Sequence, residues 1–142
     1  MSKLYTKDIL RLTLQIPNQV RLENPDKTID RRSRICGSSL ALDLKLSDTG
    51  DILDFGWDVK ACALGQASAA IIGPKLIHLS LDHLIILKDH MDAMLRDGKK
   101  VEWETVLEGD FTKMQYLEAA KDHPGRLGAI YLPIDALLTH YR

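Results

Sequence analysis

The sequence predicts a single α+β domain over residues 1–142, and three observations lead there. Between Cys36 and Cys62, two segments alternate apolar and polar residues around Ser47-Asp48-Thr49-Gly50. A period of two broken by a glycine-containing turn reads as a β-hairpin. Stretches with helical spacing lie on both sides of it, Ser80 to Leu95 being the clearest. No repeat, low-complexity tract or long linker marks a second domain, and 142 residues suffice to bury a core.

Composition narrows the function classes. Hydrophobic residues make up 45% and charged residues 27%, ordinary values for a soluble protein. A formal net charge of -1 gives no electrostatic case for nucleic acid or an anionic membrane. The longest apolar run falls far short of a membrane span. The opening MSKLYTKDIL lacks the apolar core of a secretory signal, so a cytoplasmic location is expected, where thiols stay reduced. Two cysteines are too few for a disulfide framework. They are either small buried hydrophobes or carriers of metal or redox chemistry.

Taken in order, Thr6 to Ile16 has helical spacing, with Thr6 as cap, Asp8 in the first turn and Pro17 as stop. Asn18 to Arg34 is polar, turns at Asn24-Pro25-Asp26, and reads as a surface excursion. Its cluster Arg31-Arg32-Ser33-Arg34 is either a solvated loop or a positive patch that favours a thiolate or an anionic partner. In the hairpin, Leu40, Leu42, Leu44 and Leu46 share one face, with Ala41, Asp43 and Lys45 on the other. Leu53, Phe55, Trp57 and Val59 alternate with Ile52, Asp54, Gly56 and Asp58. A hairpin starts and finishes at one end of its sheet, so Cys36 and Cys62 are expected to meet at one edge. Gly37 frees the backbone there and leaves Cys36 accessible.

Ala63 to Ile72 reads as a helix of small residues, packed close to the sheet and ended by Gly73-Pro74. Cys62 falls at its N-terminus, where unpaired N–H groups and the helix dipole favour an anionic sulfur. In Ser80 to Leu95, Ser80 is the cap and Leu81, Leu84, Ile85, Met91, Met94 and Leu95 form the apolar stripe. His83 and His90, with Asp82 and Asp89, lack the one-turn histidine spacing of a zinc helix and read as a solvated face. Val101 to Glu104 is extended or a helix start, and Gly109-Asp110 is a break. Thr112 to Lys121 reads as a helix burying Met114, Leu117 and Ala120. Asp122-His123-Pro124-Gly125 is a turn whose histidine is either solvated or close to the cysteine edge. Arg126 to Tyr131 is a short helix or turn, and Pro133 opens the last helix with Ile134, Ala136 and Leu137.

On these residues the chain resembles the iron–sulfur cluster assembly scaffolds of the IscU, SufU and NifU N-terminal kind. The resemblance runs through Tyr5-Thr6-Lys7-Asp8-Ile9-Leu10, Cys36-Gly37, the hairpin, Cys62-Ala63 with Gln66-Ala67-Ser68-Ala69, and His123-Pro124-Gly125-Arg126. It implies a three-stranded antiparallel sheet covered by helices. It implies a role without catalysis: taking sulfur from a cysteine desulfurase, building a cluster, and passing it to recipient proteins. Cys36 and Cys62 would then ligate iron or a transient [2Fe–2S] cluster, with zinc as the alternative metal and Ser38, His123 and Arg126 as site neighbours.

The chain departs from the family pattern at four places. Ser38 stands for the aspartate after Cys-Gly, Ala129 for the third cysteine, and Gly128 for a histidine of some members, while the chaperone-recognition motif has no counterpart. The Cys-Gly-Ser and Ala-Cys-Ala-Leu-Gly-Gln-Ala-Ser-Ala runs are similar to those of a bacterial subgroup that also lacks the third cysteine. A [2Fe–2S] cluster takes four protein ligands, mostly thiolates, and one chain offers two. A homodimer facing itself at the cysteine edge would supply four. Small thiols could complete the set, or the two cysteines could relay sulfur as persulfides. Two rival roles stand beside the scaffold. One is an adaptor of the assembly machinery that kept the surface and lost the metal. The other is a thiol enzyme with Cys36 or Cys62 as nucleophile, disfavoured because no histidine is locally placed as base.

Overall fold

The computed structural model describes residues 4–108 and 110–142. Gly109, half of the expected break, and residues 1–3 at the start of MSKLYTKDIL lie outside the described residues. The architecture is α+β: a three-stranded antiparallel sheet in the order β1-β2-β3, with helices packed on one face. The strands are β1 (Lys27–Arg32), β2 (Ser39–Leu46) and β3 (Ile52–Lys60). The helices are α1 (Lys7–Leu12), α2 (Ala63–Ile72), α3 (Leu81–Leu95) and α4 (Leu127–Tyr141).

The hairpin forms where the alternation predicts it, with Leu40, Leu42 and Leu44 buried against Phe55 and Trp57. A bulge changes its far end. Lys45 pairs with Asp54 but Leu46 pairs with Ile52, so Leu53 is skipped. One extra residue flips the pleat beyond it. Ile52 is therefore buried and Leu53 is 60% exposed, the reverse of the expected faces.

The supposed surface excursion holds β1, which pairs along β2 from Lys27↔Leu44 to Arg32↔Ser39. Arg31 and Arg32 are thus strand residues rather than loop. The outer face of the sheet is also covered. Pro17 O accepts from Trp57 Nε1 at 2.7 Å, and Asn18 O accepts from the Trp57 N–H at 3.0 Å along the free edge of β3. The chain then crosses over Gly56, where an added Cβ would meet Val20 O at 2.1 Å. It ends over Asp43, which faces solvent in the alternation pattern but is fully buried. The Asp43 carboxylate accepts from Arg21 Nε (2.5 Å) and Nη2 (2.9 Å), the Leu22 N–H (3.1 Å) and Thr28 Oγ1 (2.6 Å). The Arg21 bond, against the cost of burial, holds its pKa below the ordinary carboxylate value.

The small residues of α2 pack it chiefly against α4 rather than the sheet. A Cβ on Gly65 would lie 3.1 Å from Ala129 O and 3.2 Å from Ala129 Cβ, so the two helices approach closely there. Helix α4 is continuous from Leu127, with Pro133 inside it rather than at its start. A proline has no N–H for the carbonyl one turn back, here Ala129 O. Next to that gap, Ser68 Oγ donates to Ile130 O at 2.6 Å, tying α2 to α4.

The remaining elements differ in detail from expectation. Thr6 caps α1 through the Ile9 N–H, but the helix closes at Leu12, before Pro17. Ser80 and His83 form a reciprocal capping box at α3, which gives His83 a structural use. Within α3, Met91 and Met94 are core, while Ile85 is exposed. Thr112–Asp122 is a 3₁₀ helix. Its buried Met114, Leu117 and Ala120 recur every third residue, the period of that helix. Gly73 does not stop the chain; it continues as a 3₁₀ turn, Gly73–His78. No helix among the described residues is long and apolar enough to cross a membrane.

Candidate thiol site

Both cysteines sit at one end of the sheet. Arg32 and Ser39 close the β1–β2 ladder, and Ser39 also pairs with Lys60 at the end of β3. Cys36 lies in the connection between β1 and β2, tightened by Ser33 N–H to Ser38 O (2.8 Å) and Gly37 N–H to Ser33 O (3.1 Å). Gly37 has φ +72°, a left-handed value that suits glycine. Cys62 follows β3 and is the N-cap residue of α2, with no side-chain capping bond of its own. Both are free and half-buried. The first turn of α4 touches the β1–β2 connection and the first turn of α2. Gly128 faces Ser33, where an added Cβ would lie 2.4 Å from Ser33 Oγ, and Ala129 faces Gly65, one turn along α2 from Cys62.

The two sulfurs have different surroundings. Cys36 Sγ lies 3.2 Å from Ser33 Oγ and 3.2 Å from Ser38 Oγ. Both serines are buried, and no polar side-chain atom buried among the described residues lacks a partner. Burial pushes the Cys36 thiol up, but bonds from the two hydroxyls and from the Ser38 and Cys36 amides outweigh it. The net effect is a pKa below the ordinary thiol value, which favours the thiolate.

Of the residues expected beside the cysteines, Ser38 is there. His123 is exposed, at the head of a 3₁₀ turn, Pro124–Arg126. The Arg126 guanidinium donates to the Tyr5 hydroxyl and lies over its ring, 5.6 Å from the centroid. The turn still lies beside the Cys36 loop, since a Cβ on Gly125 would be 3.6 Å from Ile35 Cγ2. Ile35 itself is 81% exposed next to Cys36. Ser33 is the residue that sequence reading missed; its neighbours in sequence are all arginine or isoleucine, and only the fold aims its hydroxyl at Cys36. Among the described residues, Arg31, Arg32 and Arg34 form no ion pair. Arg31 and Arg32 line a cavity of about 310 Å³ with Arg21, Lys60, Asp30 and Asp58 at the thiol end of the sheet.

No group of three or more histidine, cysteine, aspartate or glutamate residues among the described residues could hold a metal ion. The donor set is two thiols. Ala129, fully buried against Gly65, offers none.

A three-stranded sheet that carries two accessible thiols to one end, backed by the first turn of a C-terminal helix, defines a small thiol-presenting α+β domain. The N-terminal region of a nitrogen-fixing NifU-like protein from Brucella abortus has a similar structure, with a TM-score of 0.83 and 33% identity over 99% of this chain and 93% of that one. The chain belongs to the family of NifU-like N-terminal domains, the IscU/SufU/NifU-like fold. The fold is shared with a protein described as a SUF-system cluster assembly scaffold from Fervidobacterium islandicum, with a TM-score of 0.74 and 22% identity over 94% of this chain and 93% of that one. A hypothetical protein shares it too, with a TM-score of 0.71 and 16% identity over 94% and 97% of the two chains. No protein-family model and no curated protein sequence matches the chain.

Proposed function

We propose that this chain is an iron–sulfur cluster assembly scaffold or carrier. It accepts sulfur from a cysteine desulfurase and holds iron or a [2Fe–2S] cluster, as cargo, on Cys36 and Cys62 before a recipient protein takes it. The observation that carries the reading is the delivery of both thiols to one sheet end in a chain one-third identical to a NifU-like domain. Two thiolates fall short of the four ligands a [2Fe–2S] cluster needs, so the remaining ligands come from outside the chain. A second copy meeting the first across the cysteine end supplies them, with the exposed Ile35 as apolar contact; small thiols are the other source. Zinc, which tolerates water in its fourth position, is the competing metal. The role is that of a scaffold rather than an enzyme, in the reducing cytoplasm.

Anaerobic reconstitution with ferrous iron and sulfide, followed by visible absorption and iron counting, tests the reading. Wild type is expected to bind iron, and Cys36→Ala and Cys62→Ala to lose it; wild-type protein free of iron would overturn it. The second reading, a metal-free adaptor of the same machinery, is favoured by the buried Ala129 at the third ligand position. It requires desulfurase binding that survives loss of both thiols, which a pull-down with the double alanine variant measures.

A further inference from the structure

The two cysteines share an end of the sheet but not an environment. Cys36 Sγ is flanked by two buried hydroxyls at 3.2 Å, from Ser33 and Ser38. They approach from the two sides of the β1–β2 connection, whose turn is closed by backbone bonds between Ser33 and Ser38 and between Gly37 and Ser33. Ser33 is further confined by Gly128 of α4, since no side chain fits at 128 without moving its hydroxyl. Cys62 has no side-chain capping bond. A neutral thiol donates to one serine and accepts only weakly from the other, whereas a thiolate accepts strongly from both. The pair of hydroxyls is therefore matched to the charged sulfur, and the closed turn fixes its direction.

We propose that Ser33 and Ser38 are positioning residues that make Cys36, and not Cys62, the thiol that first accepts sulfur. This deepens the scaffold reading and rests on it for the identity of the donor, a cysteine persulfide on a desulfurase. In the step, the Cys36 thiolate attacks the outer sulfur of that persulfide. A new S–S bond forms on Cys36 as the bond between the outer sulfur and the donor cysteine breaks. The donor cysteine leaves as a thiolate and takes up the proton that Cys36 lost. No electrons are gained or lost overall, and the two serines keep their hydroxyl protons. Cys62 remains unmodified, available to hold iron beside the newly delivered sulfur.

The test needs neither iron nor a desulfurase. The whole chain is treated with limiting inorganic polysulfide, and separately with iodoacetamide, at pH 7, and each cysteine is followed by peptide mass spectrometry. Cys36 is expected to react several-fold faster than Cys62. Ser33→Ala and Ser38→Ala are each expected to slow Cys36 by about threefold to tenfold, the effect of one ordinary hydrogen bond, with Cys62 unchanged. Ser38→Thr, which keeps the hydroxyl, is expected to restore most of the rate. Equal reaction of the two cysteines in wild type, or an unchanged Cys36 rate in the double serine variant, overturns the proposal. A variant that merely loosens the fold would speed both cysteines, and that outcome counts against a positioning role as well. If Cys36 is selective but wild type binds no iron, the scaffold reading fails and the thiol assignment stands.

Discussion

Replacing Gly128 by alanine should disarm Cys36 without touching it. An alanine Cβ there would lie 2.4 Å from Ser33 Oγ and 3.2 Å from Ser33 Cβ. The backbone of α4 is committed by its packing on β1, β2 and α2, so the serine side chain is the part that yields. Rotating the hydroxyl away relieves the first contact and gives up its 3.2 Å approach to Cys36 Sγ. Losing one hydrogen bond costs about 1 kcal/mol. Glycine to alanine in a helix returns up to about 1 kcal/mol. The two nearly cancel, so a thermal melt should shift by no more than about 3 °C in either direction for a chain of this size. Cys36 alkylation, in contrast, should slow by about threefold or more while Cys62 is unchanged. In a Ser33→Ala background the same substitution should add nothing at Cys36, because the group it displaces is already gone. Wild-type Cys36 reactivity in Gly128→Ala, or equal changes at both cysteines, would refute the reasoning.

Three other outcomes are expected. Ala129→Cys introduces a third sulfur beside Gly65; it should raise bound iron after reconstitution at an overpacking cost of about 1–3 kcal/mol, read by iron counting and a melt. Asp43→Ala leaves the Leu22 N–H and the Thr28 hydroxyl without their acceptor and should cost about 3 kcal/mol in urea unfolding, less than a fully buried ion pair would because half of the Arg21 side chain is exposed. Acid should destabilise the fold in two stages. Burial, reinforced by the Lys27 ammonium against the pull of the Gly50 carbonyl, holds His140 below the ordinary histidine value of 6.5. The unfolded chain therefore binds the proton first, and this contribution is present above pH 6.5 and lost as pH falls through the lower folded value. Asp43 follows the same sign below its ordinary 3.8. His140→Asn should remove the first stage from a pH series of melts and leave the second.

The hairpin and the caps at Thr6 and Ser80 are visible in the chain because each rests on residues close in sequence. The convergence of Cys36 and Cys62 follows from the hairpin itself, so the site's location is legible too. What sequence hides is set by distant partners. Strand β1 shows no alternation because, as an edge strand, it buries only Ile29. Asp43 belongs to an outward face by pattern, and only the crossing of residues 17–22 buries it. Pro133 reads as a helix start, and the continuity of α4 depends on its packing against α2. The bulge at Lys45 and Leu46 has no local marker, so Leu53 and Ile52 exchange faces unannounced. Ser33 at the candidate site is a further such case: its hydroxyl reaches Cys36 because the Ser33–Ser38 turn closes and α4 presents a glycine.

The most direct test is whether Cys36 and Cys62 behave as one bidentate ligand. Phenylarsine oxide forms a stable cyclic adduct only where two thiols reach the same arsenic. Intact-mass spectrometry of the reduced chain should show one arsenic per monomer, with both cysteines then closed to alkylation and each single alanine variant unable to hold the reagent through a wash. A chain that keeps two independently reactive thiols in its presence would contradict the account.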